Sequence, residues 1–164
     1  MFIRQLSCKF AENQAIRADM TTIQIETLID APIEQVFDLS RSIDLHLDST
    51  AKTNEKAIAG VTSGLIGLNE TVTWRAKHFG VYQNFTSKIT QYDRPNSFTD
   101  EMQKGAFKSF RHLHSFMDKN GQTLMIDELQ FEAPFGFLGK LVERIVLKSY
   151  LIRFLTERNA LVKS

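Results

Sequence analysis

The sequence predicts a single α+β domain: a curved antiparallel sheet of about seven strands around one long C-terminal helix, with two short helices after the first strand. Three observations predict it. Apolar and polar residues alternate in segments between Thr21 and Glu132, with turn residues between them. A helical period replaces the alternation only briefly after Asp30 and at length from Phe137. Strands and helices are also segregated along the chain, which favours antiparallel over parallel pairing.

Thr21 to Asp30 places Ile23, Ile25 and Ile29 on one side and Gln24, Glu26 and Asp30 on the other. That is a half-buried strand. Ala31-Pro32-Ile33-Glu34 then starts a helix. Proline suits the first helical position, and Glu34 stands near the positive end of the helix dipole. Ile33, Val36, Phe37 and Ser40 share its inner face, and Ser42 caps a second short helix from Ile43 to about Leu47.

Glu55 to Val61 reads as a weaker strand, followed by a loop between Gly64 and Gly67. Glu70 to Phe79 puts Val72, Trp74, Ala76 and His78 on one face, and Gly80 makes the turn. Val81 to Asp93 returns, with Phe85 near Trp74 on the same face and Ile89 pointing the same way as Phe85. Arg94-Pro95-Asn96 turns into Ser97 to Lys104, where Phe98, Asp100 and Met102 lie together. Lys108 to Asp118 aligns Phe110, His112, His114 and Phe116. Asn120-Gly121 is a strong hairpin signal, because both residues accept positive φ at low cost. Gln122 to Glu132 then aligns Met125, Asp127, Leu129 and Phe131.

Ala133-Pro134-Phe135-Gly136 ends the sheet. From Phe137 to Val162 the helix runs about 26 residues, or roughly 39 Å. Its apolar residues cover more than a narrow stripe, so the helix is expected to be embraced along much of its length.

Composition bounds the function. The chain of 164 residues has 20 basic and 19 acidic groups, a net charge of +1, which argues against a general nucleic-acid binder. Cys8, the single cysteine, excludes an intrachain disulfide and any cysteine-based zinc cluster. No apolar run approaches the ~18 residues that span a bilayer. Met1 to Met20 has neither the apolar core nor the cleavage site of a secretory signal, so residues 1–20 read as an arm preceding a domain at 21–164, and the expected location is cytoplasmic. Thirteen Phe against three Tyr and one Trp point to a very large core or an aromatic-lined cavity.

The geometry favours the cavity. A helix is ~10–12 Å across, and a strongly curved sheet of about seven strands is wider than that. The inward faces supply apolar walls from Trp74, Phe85, Ile89, Met102, Phe110 and Leu129. His112, His114 and Asp127 interrupt them as a polar group that can orient a ligand's polar end or move protons. The Asn120-Gly121 hairpin leaves two registers, one with Asp127 facing His112 and one with it facing His114. His-x-His can supply two metal ligands, with Asp100 or Asp127 as a carboxylate, but no third histidine follows at a cupin-like spacing, so neither a metal nor another cofactor is expected. His46 reads as a surface or loop residue. Lys140, Arg144 and Lys148 form a basic stripe whose functional version is transient contact with a membrane surface. The apolar loops Gly64–Leu68 and Phe135–Gly139 read as a cavity mouth.

The strand and Ala-Pro entry from Ile25 to Leu39, the opening Val72-Thr73-Trp74 and the closing amphipathic helix resemble the helix-grip fold of the START-related, birch-pollen-allergen-like superfamily (SRPBCC). The chain is most similar to its small, uncharacterised bacterial single-domain members. The resemblance implies a deep hydrophobic cavity for a lipid, quinone, polyketide or similar molecule. Some members are cyclases or dehydratases and many only bind. The expected function is therefore binding of a hydrophobic small molecule without catalysis. The alternatives are a cyclase or dehydratase using the His/Asp group, or a protein-interaction module with a vestigial cavity; no particular protein partner is indicated.

Overall fold

The computed structural model describes residues 20–50, 54–78, 80–134, 136 and 143–164. Residues 1–19, where an arm is expected, 51–53, 79, 135, and 137–142, where the start of the long helix is expected, lie outside them. The elements are β1 (Thr21–Ile29), α1 (Ile33–Ser40), α2 (Ile43–Ser49), β2 (Lys56–Gly60), β3 (Thr71–His78), β4 (Val81–Asp93), β5 (Ser97–Lys104), β6 (Ser109–Lys119) and β7 (Gln122–Glu132). A π-helical turn at Glu143–Leu147 then leads into α3 (Lys148–Lys163).

The seven strands form one antiparallel sheet in the order β1-β7-β6-β5-β4-β3-β2. β1 and β2 are successive in sequence yet occupy opposite ends of that order. The chain has to cross between them, and α1 and α2 make the crossing. Breaks in register mark two bulges, one at Gln103 in β5 opposite Thr86–Ser87 and one at Thr90 in β4 opposite Thr99–Asp100, the kind of feature that bends and twists a strand.

Local chemistry explains the elements. Pro32 is the N-cap of α1, its carbonyl accepting from Gln35 and Val36. Ser42 caps α2 by accepting from the Leu45 amide at 3.2 Å. Asn120 and Gly121 take φ values of 59° and 90°, closing the hairpin on the Lys119–Gln122 pair. Gly60 is required by sterics: φ is +76°, and a Cβ there would stand 2.0 Å from the Thr71 carbonyl oxygen.

The core has two parts. Under α1, the fully buried Phe37 makes edge-on contacts with Tyr92, Phe98 and Phe116 at centroid distances of 5.3, 5.5 and 5.4 Å. Under α3, Leu151 and Leu155 pack with Ile23, Leu129 and Phe131. The expectation that the terminal helix is embraced along its length is corrected here. Its buried residues, Leu151, Leu155, Arg158, Asn159 and Val162, form one stripe, while Ile145 is 64% exposed and Val146, Ile152 and Leu161 are also exposed. The helix covers the sheet from one side, so only one face can be buried.

Candidate functional site

Between α3, α2 and the inner face of the sheet lies a cavity of ≈ 400 Å³. Trp74, Phe85, Ile89, Phe110 and Leu129 line it as expected, joined by Phe98, Ala76, Leu151 and Leu155. Trp74 and Phe85 are direct cross-strand partners. Met102 is not part of the lining. Its sulfur packs at the Gly105 turn, 2.6 Å from where a Cβ on Gly105 would be.

The polar floor comes from adjacent strands. β5 pairs Asp100 with His112, and β7 pairs Asp127 with His114 and Leu129 with His112. Of the two registers the hairpin allows, the chain adopts the one that sets His114 opposite Asp127. Both imidazoles nevertheless reach the same carboxylate oxygen. His112 Nε2 is 3.0 Å from Asp127 Oδ1, within hydrogen-bond geometry. His114 Nδ1 is 2.9 Å from that oxygen, but its N–H points off the line needed for a hydrogen bond. His114 Nε2 donates to Asp100 Oδ2 at 3.1 Å, and His112 Nδ1 is 3.9 Å from the same oxygen. The two rings lie 3.8 Å apart, and Phe98 stacks on His114 at 4.2 Å.

Asp127 shares the face of the imidazoles but does not reach the cavity surface. It is fully buried behind the imidazoles. Asn159 Nδ2 donates to its other oxygen at 2.7 Å. Arg158, on the buried stripe of α3, lies 3.8 Å from Asp127 Oδ1 and donates to the Ser40 carbonyl at 2.6 Å.

The cluster sorts its own protons. Burial penalises charge on Asp127, but the His112 hydrogen bond, the close His114 contact and the positive field of both rings outweigh it and hold the carboxyl well below its usual range. Burial also opposes charge on Asp100, where the His114 hydrogen bond and the field of His112, His114 and Arg158 bring the balance below normal. For His112, burial and repulsion from His114 push the pKa down despite the bond to Asp127. For His114, burial acts downward, but contacts with Asp100 and Asp127 carry the pKa up. The directions together favour charge on both carboxylates and on His114, and disfavour it on His112 at the cavity wall.

A second polar group lies elsewhere on the lining. His46, from the last turn of α2, lies against Trp74 with ring centroids 4.2 Å apart and hydrogen-bonds Glu55 at 3.0 Å. The expectation of a surface or loop role for His46 is thereby overturned. It stands three residues after the buried Ile43, and that helical spacing was the available signal. Arg158 carried a similar signal, three residues after Leu155 and four before Val162. Tyr150 also lines the cavity, its hydroxyl pushed above its ordinary pKa by burial and by the Glu55 charge. At the expected mouth, Ile66 is buried and lines the cavity, while Leu65 and Leu68 are exposed. Of the basic stripe, Lys148 is exposed, and Lys140 and the Arg144 side chain lie outside the description, as does the side chain of His78. Among the described residues, no helix is long and apolar enough to cross a membrane.

No family profile matches the sequence, and a comparison with curated proteins finds no match. Solved structures do match. Ginseng major latex-like protein 151 from Panax ginseng is 15% identical, with a TM-score of 0.65, covering 88% of this chain and 95% of that one. A START superfamily protein from Mycobacterium smegmatis is 13% identical, with a TM-score of 0.64 and coverage of 84% and 92%. Norcoclaurine synthase from Thalictrum flavum is 13% identical, with a TM-score of 0.63 and coverage of 90% and 88%. At these identities the likeness is one of fold, and it agrees with the strand order, the paired short helices and the terminal helix: the chain has the helix-grip fold that these structures share.

Proposed function

We propose that the protein binds a hydrophobic small molecule in the cavity between the sheet and α3, with the ligand's polar end against His112 and His114. The observation that carries this reading is an apolar-walled space of ≈ 400 Å³ with one concentrated polar floor. Its volume falls within the ~300–1,000 Å³ of small-molecule pockets, whose form is the same: apolar walls and a few placed polar groups. Proteins of this fold typically bind hydrophobic ligands, which supports the same reading. A vestigial cavity would be expected to be filled, so the open volume tells against the interaction-module alternative.

Ala76 provides the test. It is buried on β3 and lines the cavity, so Ala76→Trp fills ligand space without touching the polar cluster. Native mass spectrometry of wild type after gentle purification is expected to retain a lipid-like adduct. A ligand at about 100 times its Kd adds roughly 2.7 kcal/mol of stability, seen as a raised melting temperature. Ala76→Trp should lose both the adduct and the shift. Absence of any adduct or stabilisation in wild type across lipids, quinones and polyketides would refute the reading.

One observation favours a catalytic version. His112 lines the cavity wall with Nε2 engaged by Asp127, which leaves Nδ1 able to accept a proton, and burial and the neighbouring His114 push its pKa down. A cyclase or dehydratase would use it as a general base. His112→Ala should then lower turnover by ~10²–10⁴-fold while affinity changes little. Equal loss of affinity and rate would instead mark His112 as a binding group.

A further inference from the structure

We infer that Asp100, His112 and His114 form a two-histidine, one-carboxylate site for a divalent transition-metal ion, opening onto the cavity. The site is independent of whether an organic ligand binds.

The donors converge. Asp100 and His112 are register partners on β5 and β6, and His114 follows His112 on the same face. Asp100 Oδ2 is 3.1 Å from His114 Nε2 and 3.9 Å from His112 Nδ1. One donor atom from each residue lies within 4.8 Å of the others. Bonds of about 2.0–2.2 Å to nitrogen and oxygen put neighbouring donors roughly 3–3.5 Å apart. The Asp100–His114 edge already has that length. The wider separations need only a small inward turn of the imidazoles, and the His114–Asp100 hydrogen bond gives way to two metal bonds.

What separates this cluster from an ordinary ion network is the residue behind it. Asp127 Oδ1 stands by the far nitrogen of each ring, hydrogen-bonded to Nε2 of His112 at 3.0 Å and in close contact with Nδ1 of His114 at 2.9 Å. Metal-bound histidines almost always present their second nitrogen to such a carboxylate, which sets the tautomer and aims the first nitrogen at the metal. Asn159 anchors Asp127 in turn. The three donors line the cavity and Asp127 does not, so the remaining coordination positions face the open space. Two carboxylates, Asp100 and Asp127, would face the dication, with the Arg158 guanidinium 3.8 Å from Asp127 as the nearby opposing charge.

Imidazole and carboxylate donors with open positions select first-row ions such as Fe²⁺, Co²⁺ or Zn²⁺ over the all-oxygen preference of Ca²⁺. Such an ion would act as a Lewis acid on a carbonyl or hydroxyl oxygen in the cavity.

The test uses the untagged full chain, stripped with chelator and titrated with Co²⁺ alone. One equivalent should bind, with a visible d–d absorption band and a rise in melting temperature. Cys8→Ser should keep the band, which excludes a thiolate site. Asp100→Asn and His114→Gln should lose it, and Asp127→Asn should weaken Co²⁺ binding by about 10–100-fold while keeping the band. Zn²⁺ followed by NMR on wild type removes any dependence on variant folding: two of the four histidine ring systems, those of His112 and His114, should shift, and those of His46 and His78 should not. Folded wild type that takes up no Co²⁺, a band unchanged in His114→Gln, or Zn²⁺ shifts confined to other histidines would overturn the proposal.

Discussion

Asp127→Leu is expected to destabilise the protein by about 3–5 kcal/mol, because removing one partner of a buried ion cluster strands the others. The carboxylate is fully buried and meets His112, His114, Asn159 and Arg158. Leucine fills similar space but leaves the His114 and Arg158 cations with Asp100 alone. Asp127→Asn keeps the shape and should cost less. Urea denaturation with chelator present measures both. A Leu variant within about 1 kcal/mol of wild type would mean that the cluster contributes little, as some buried pairs do.

The same cluster sets the acid limit of stability. Asp127 and Asp100 have folded pKa values below their unfolded ones, so their stabilisation is present above the unfolded value and is lost as pH falls through the folded one. His112 is also depressed. Its neutral form is favoured in the fold, so it adds stability above its unfolded value, lost on acidification. His114 runs the other way: its raised pKa contributes below the unfolded value of 6.5 and fades as pH rises through the folded one. Stability should therefore fall steeply below the ordinary carboxylate range and more gently above neutrality. Asp127→Asn should flatten the acid limb.

Phe37→Ala is expected to cost a similar amount, about 3–5 kcal/mol, from lost transfer energy and the cavity left behind. Its ring is the hub for Tyr92, Phe98 and Phe116 and clamps α1 to the sheet. The effect reaches the site, because Ser40 at the end of α1 holds Arg158 through its carbonyl. Phe37→Leu should recover more than half of the loss. The denaturation midpoint should move without a change in slope, which would place the effect in the native state. A loss below about 1 kcal/mol for the Ala variant would mean that the three partner rings collapse into the space.

Much of the site was readable before any coordinates. Alternation through β6 and β7, joined at Asn120-Gly121, was enough to group His112, His114 and Asp127 on one face with Phe110 and Leu129. The hairpin could not choose between its two registers, and in the folded chain both histidines touch Asp127 across it. Alternation also grouped Met102 with Asp100 but could not show that its sulfur packs at the Gly105 turn and not on the cavity lining. His46, Glu55 and Arg158 were missed as site residues for a different reason. Their roles depend on where a helix or loop rests against a distant strand.

What the sequence by itself determined is local: strand and helix periods, caps, the hairpin and the side of each strand a residue occupies. These follow from backbone geometry over a few residues. Only the tertiary structure decided which polar groups meet. Arg158 reaches Ser40 across 118 positions, and Asn159 reaches Asp127 across 32. Such contacts are set by how α3 lies across the sheet, and that placement is an outcome of packing the whole core, which no short window of residues encodes.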